Sequence, residues 1–110
     1  MAVEKRDFPR VEIAWPVNVA TANGLVNGTT ENLSLGGSLI RCPEVPDLEE
    51  TFRLVFRPSE RILLLATAEM VWSEIIYGER QLFHAMGVRF RYIPDPDKQV
   101  IGEAISKQLH

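Results

Sequence analysis

Lys5-Arg6-Asp7-Phe8-Pro9-Arg10 gathers three cations within six residues of the chain's start. Some twenty residues on, Glu31-Asn32-Leu33-Ser34-Leu35-Gly36-Gly37 reads as a polar floor rather than as a strand or helix. Asn32 and Ser34 are two apart, so in an extended backbone their side chains share a face while Leu33 and Leu35 point into a core. Gly36 and Gly37 allow positive φ and leave no Cβ in the way of an approaching group. A cationic arm beside such a ledge would bind an anion that also carries a flat, polar-edged ring. Each piece alone has a plainer reading. A Ser-Leu-Gly-Gly turn is ordinary hairpin chemistry, and a basic arm can be a solvated tail. The two together are more specific than either.

The elements that position these residues belong to one domain, since 110 residues match a typical domain length. With 45% hydrophobic and 25% charged residues the composition is that of a folded globular chain with one core. Twelve basic against fifteen acidic side chains give a net charge of −3. A general nucleic-acid binder draws its affinity from phosphate neutralisation and is basic. An acidic chain with one local basic cluster suits a small anionic ligand instead. The single cysteine, Cys42, has no internal disulfide partner and reads as a buried thiol. No secretory leader and no run of 18 apolar residues appears, which makes the reducing cytoplasm the expected location.

Residues 1–10 lack any period, and Pro9 disfavours helix at Phe8, so this segment is expected to be a flexible arm pinned by Phe8. The domain proper is expected over 11–110. Val11, Ile13, Trp15, Val17 and Val19 alternate with polar or small residues as a strand with one buried face, with Pro16 marking an edge or bulge. Asn23-Gly24 suits a two-residue hairpin turn. A second strand follows from Leu25 with a bulge at Asn27-Gly28, and a third runs over Ser38–Cys42. Phe52, Leu54 and Phe56 mark a fourth. From Arg61 to Ile76 the apolar residues Ile62, Leu64, Ala66, Ala68, Met70 and Trp72 hold period two, predicting a long strand bent near Ala66–Ala68. Gln81–Tyr92 forms a sixth, with Phe83, Met86, Val88 and Phe90 as core candidates. The period then switches. Asp95 as N-cap and Pro96 open a helix whose stripe is Val100, Ile101, Ala104, Ile105 and Leu109. Six strands with short turns and a terminal amphipathic helix suggest a small six-stranded antiparallel barrel, because closure removes exposed edges.

These residues resemble the PilZ domain, a bacterial receptor family for cyclic di-GMP. The resemblance rests on Lys5-Arg6-xxx-Arg10 followed by Asn32-x-Ser34-x-x-Gly37. Ala68-Glu69-Met70-Val71-Trp72 is similar to the family's long penultimate strand, and Gly87-Val88-Arg89-Phe90 to its last. It implies a six-stranded antiparallel β-barrel with a C-terminal helix. It further implies that Arg6 and Arg10 grip phosphates and guanine edges, that Asn32, Ser34, Gly36 and Gly37 hold a guanine, and that Lys5 and Trp72 assist. Lys5 stands where another arginine is common, and Asn32 takes the neutral option of an Asp/Asn position. The ligand would be cyclic di-GMP, with no cofactor or metal, and the signal would pass to an effector protein in motility or biofilm control. The bottom-up chemistry agrees: an arginine fork matches guanine O6 and N7 bidentately and its plane stacks on a base.

Competing readings are weaker. Ser34 lacks a Gly-x-Ser-x-Gly elbow, His84 and His110 lie too far apart to suggest a metal site, and no phosphate loop or dinucleotide fingerprint occurs, so no enzyme is expected. Trp72 reads as a core or rim residue at least as readily as a base platform, and Arg89 and Arg91 read as solvent-facing. The acidic loop at Glu44–Glu50 is a solvated loop or a partner surface. The alternative function is a protein-interaction adaptor on the same fold that binds no nucleotide.

Overall fold

The computed structural model describes residues 8–109, so Lys5 and Arg6 lie outside the described residues. Six strands and a helix follow in order: β1 Pro16–Thr21, β2 Gly24–Leu33, β3 Gly37–Cys42, β4 Phe52–Ser59, β5 Ile62–Tyr77, β6 Leu82–Tyr92 and α1 Asp95–Leu109. Every pairing is antiparallel, and the order β1-β2-β3-β6-β5-β4 closes on itself through Val17↔Phe56 and Val19↔Leu54. The expected barrel with its terminal helix is the observed one.

Alternation builds the core. Val17 and Val19 of β1, Leu54 and Phe56 of β4, Leu64, Ala66 and Ala68 of β5, and Met86 and Val88 of β6 all point inward and are buried. Phe56 bridges the interior, edge-on to Trp15 (6.2 Å between ring centroids) and to Phe90 (5.9 Å). Such pairs add to what burial alone contributes. Ile101 and Ile105 of α1 complete the core.

Several local expectations shift. The first strand does not start at Val11. Residues 11–15 run beside β2 as a strap, with Val11 and Leu33 exchanging both backbone hydrogen bonds (3.0 and 2.9 Å). Thr30 anchors the rest: its hydroxyl accepts from the Trp15 amide at 2.8 Å and donates to the Ile13 carbonyl. Pro16 opens β1, where a missing N–H is tolerated. In the first hairpin Thr21 pairs with Gly24, so Ala22-Asn23 make the turn and Gly24 follows at φ 128°. Asn27 and Gly28 pair in regular register. The β2 irregularity falls instead between Thr30 and Asn32. Asn32 and Leu33 belong to β2 rather than to a loop.

β5 is the long strand foreseen, with an irregularity at Thr67/Ala68 and a second between Met70 and Trp72. That second bulge reverses the phase, so Trp72 is exposed rather than buried; Met70, which precedes the bulge but lies beyond the last β4 pair at Ala68, is exposed too. Phe83 is half-buried outside the core, its ring 5.1 Å beneath the Arg41 guanidinium. The Lys98 amide bonds to the Pro94 carbonyl at 2.8 Å, placing the N-cap one residue before Asp95. Asp95 and Pro96 then occupy the first turn, where an absent N–H costs nothing and a carboxylate favours the dipole. Asp97 accepts the Leu65 amide of β5 at 2.8 Å, tying the helix to the barrel. Leu109 is exposed and leaves the stripe.

Candidate functional site

Glu31 to Gly37 folds as the end of β2 and a tight turn into β3. The Ser34 amide donates to the Gly37 carbonyl at 2.9 Å, and the Ser34 hydroxyl accepts from the amides of Gly36 (3.0 Å) and Gly37 (3.1 Å). Ser34 is buried, so its hydroxyl shapes the turn from within. Asn32 sits at the β2 bulge, where its Oδ1 accepts the Leu39 amide at 3.2 Å. That bond occupies the amide the bulge pulls out of register.

The glycines do not serve positive φ. Among the described residues only Gly24 has one. What approaches Gly36 and Gly37 is the chain itself. A Cβ on Gly36 would lie 2.8 Å from the Phe8 ring, and one on Gly37 would collide with the Val88 carbonyl oxygen. Phe8 therefore lies across Gly36, as the arm's expected pin, and the Gly37–Val88 contact closes β3 onto β6.

Together these segments frame a cleft of about 530 Å³, within the range of small-ligand sites. Its floor is the β3–β6 pair, Gly37–Leu39 against Gly87–Phe90, with Ser34 and Gly36 at one end. One wall is Phe8 and Arg10; the other is Val71 and Trp72. The Val11–Leu33 bridge carries Arg10 to the mouth beside Ser34. Trp72 is held by close packing: its indole covers Gly87 so tightly that any Cβ there would overlap the ring. Asn32 is not among the lining residues and reaches the cleft through Leu39 and through Ser38, whose hydroxyl donates to the Asn32 carbonyl at 2.7 Å.

The electrostatics favour anions locally. Arg10 and Arg89 line the cleft, and Arg89 shares Glu69 with Arg91. The Glu69 carboxyl is held below the usual range, chiefly by its hydrogen bond from Arg89 and then by both positive charges. Two guanidinium groups on one carboxylate leave net positive charge beside the cleft, on a chain of net charge −3. Elsewhere, burial pushes the Cys42 thiol up to about 11, with Glu44 adding to the effect. At neutral pH it is protonated and unreactive. Among the described residues no group of three His, Cys, Asp or Glu could hold a metal, and no helix is long and apolar enough to cross a membrane.

The sequence matches the PilZ domain family over residues 4–107. The chain belongs to the PilZ domain family. Solved structures share the fold. The Bacillus subtilis inhibitor of motility MotI/DgrA superposes at a TM-score of 0.75, with 16% identity over 97% of this chain and 52% of that one. The PilZ domain of YcgR from Escherichia coli, solved with c-di-GMP, gives 0.73 and 12% over 96% of this chain and 92% of that one. The K. pneumonia MrkH–c-di-GMP complex gives 0.77 and 14% over 97% and 53%. This PilZ domain thus spans about half the length of two of those three chains. No curated protein matches it.

Of the candidate residues, the PilZ fold brings Arg10, Ser34, Gly36, Gly37 and Trp72 to one cleft and sets Asn32 behind it. Sequence reasoning missed Arg89, assigned only to solvent, and the wall residue Val71. The signal for Arg89 was pairing: Gly37 faces it across β3–β6, which a strand-by-strand reading does not register.

Proposed function

We propose that this PilZ domain is a cyclic di-GMP receptor. The arm, residues 1–10 with Lys5, Arg6 and Arg10, would close over the cleft of the barrel-and-helix unit, residues 11–110. Arg10 and Arg6 engage phosphate oxygens and the O6/N7 edge of a guanine, where planar guanidinium forks fit best. Gly36 and Gly37 offer a floor without side chains, and Trp72 and Arg89 bound the space available to a base. Ser34 and Asn32 act as positioning residues, the first by fixing the Gly36–Gly37 turn and the second by holding the Leu39 amide. The liganded protein would then engage an effector protein in the cytoplasm, in motility or biofilm control.

The observation that carries this reading is the convergence of Arg10, Ser34, Gly36 and Gly37, twenty-seven residues apart at their limits, on a single cleft with a cationic rim. Titration calorimetry with cyclic di-GMP tests it. The wild type is expected to saturate at micromolar concentration or tighter, about −8 kcal/mol or better. Losing one bidentate contact in Arg10→Ala removes about 1–3 kcal/mol, a roughly ten- to hundredfold weakening. GTP and a linear diguanylate should not compete. A wild type without saturable heat would overturn the receptor reading in favour of an adaptor that binds no nucleotide.

A further inference from the structure

β5 has two unpaired stretches, and the chain treats them differently. At its start, the Leu65 amide points away from β4 before β6 has joined, and Asp97 of α1 accepts it at 2.8 Å. Beyond Ala68 the situation reverses: β4 has ended, β6 continues, and the former β4 side of β5 is open. All eight residues from Met70 to Tyr77 are exposed, so nothing among the described residues covers this edge. Yet it is strongly apolar. Met70, Val71, Trp72, Ile75, Ile76 and Tyr77 are 37% to 79% exposed. Folded chains usually blunt such an edge with charge, proline or a covering element.

The hydrogen-bond phase fixes which groups it offers. Gly78 donates to the Gln81 carbonyl across the β5–β6 turn at 2.9 Å. Bonding alternates along an antiparallel strand, so Glu74 and Ile76 face β6 while Ser73, Ile75 and Tyr77 turn their N–H and C=O groups outward. These three are evenly spaced about Ile75.

We infer that this edge pairs with the same edge of a second copy of the chain, antiparallel about a two-fold axis through Ile75. Ile75 then opposes itself, Ser73 opposes Tyr77 of the second copy, and each outward amide and carbonyl finds a partner. On the other face Glu74 opposes Ile76 and Trp72 opposes Gly78, so no like charges meet directly. Other centres fit less well. An axis through Glu74 sets two carboxylates face to face, and one nearer Tyr77 shortens the ladder because the chain turns at Gly78. Size agrees as well. Side chains of this kind offer on the order of 150–250 Å² each, so Trp72, Ile75, Ile76 and Tyr77, the apolar residues inside that ladder, leave roughly 400 Å² open. Ser73, Glu74 and the backbone edge add to this, which places the pair at the low end of specific interfaces, below the roughly 800 Å² per partner of a standard one and in keeping with a reversible dimer. The pairing does not depend on the nucleotide reading.

Sedimentation velocity without nucleotide, over a range of protein concentrations, tests the inference. The wild type should show a reversible monomer–dimer equilibrium. Ile75→Asp, which sets two carboxylates on the axis of an exposed position, should be monomeric throughout with an unchanged circular dichroism spectrum. Register is read by oxidative cross-linking. Paired Ile75→Cys positions stand about 5.5 Å apart, within disulfide reach, and should link covalently. Ser73→Cys lies four strand positions from its own copy, about 13 Å, and should not; the wild type, with Cys42 buried, serves as the blank. A monomeric wild type overturns the inference. If it becomes dimeric once residues 1–7 are deleted, the edge belongs to the chain's own start; if it stays monomeric, the edge serves a different protein. Equal cross-linking at both positions overturns it too.

Discussion

Gly37→Ala separates a glycine that serves the fold from one that serves a ligand. The added Cβ would overlap the Val88 carbonyl oxygen, a backbone atom of the adjoining strand. No rotamer can relieve that contact, so β3 and β6 must part where Phe90 bonds to Gly36 and Ser34 to Gly37. Overpacking in a tight interior costs about 1–3 kcal/mol. A backbone collision inside a paired ladder belongs at the upper end, about 3 kcal/mol. Alanine's lower unfolded-state entropy offsets about 0.4–1 kcal/mol of this. A net loss of about 2–3 kcal/mol lowers the midpoint of a domain this size by about 8–12 °C. Gly36→Ala is the control, because its Cβ meets only the half-exposed Phe8 ring, which can swing aside. Its midpoint should move by no more than about 2 °C. Both are read by thermal unfolding without nucleotide. If Gly37→Ala melts within 2 °C of the wild type, or if the two variants fall equally, the assignment of Gly37 to strand packing is wrong.

Three further outcomes are expected. Thr30→Val keeps the shape of a fully buried side chain but strands the Trp15 amide and Ile13 carbonyl; chemical denaturation should show a loss of about 1–3 kcal/mol. Burial holds His84 below its ordinary value, and its Nδ1 has no partner among the described residues. The folded state therefore resists a proton that the unfolded state accepts near pH 6.5. Stability should be complete above that pH and decline below it, by no more than about 1.4 kcal/mol per pH unit; His84→Leu should flatten the decline between pH 6.5 and 5.5, and an unchanged slope would place the titration elsewhere. Glu69→Gln releases Arg89 and Arg91 from their shared carboxylate. Under the receptor reading it should tighten cyclic di-GMP binding, more at low salt than at high, and weaker binding would mean that Glu69 is needed to aim Arg89.

The barrel was legible because its inward residues keep period two through most of each strand. Val17, Val19, Leu54, Phe56, Leu64 and Ala66 all stand where alternation puts them. What alternation cannot register is a single extra residue. The β5 bulge between Met70 and Trp72 breaks the phase that had placed Trp72 in the core, and the β2 bulge after Thr30 turns Asn32 onto the Leu39 amide. The glycines are half legible for a related reason. Gly36 and Gly37 are expected to allow positive φ and a close approach; only the closeness is used, and what comes close is Phe8 and Val88, both remote in sequence, rather than a ligand. The strap was misread because Val11 and Ile13 are buried as in a strand, while among the described residues their hydrogen bonds go to Leu33 and Thr30 rather than to a continuous ladder.

The two bulges bear on the cleft in a way that neither the motif residues nor the barrel does by itself. A bulge increases local twist and re-aims the side chain beside it. In β5 it falls opposite the Gly87–Val88 step, so Trp72 is laid across Gly87 instead of joining Ala68 inside. In β2 it falls opposite Leu39–Ile40, whose strand runs back to Gly37. The β3–β6 floor is thus bordered on both sides by strands that have lost regular register next to it, while its own pairing runs unbroken from Gly37↔Arg89 to Cys42↔His84. A flat, regular floor with re-aimed walls is what a planar ring requires. Straightening β5 by deleting Val71 would restore Trp72 to the inward phase and remove one wall without touching any charged residue. The same deletion would shift the outward amides of the β5 edge relative to the cleft, because both depend on that one extra residue.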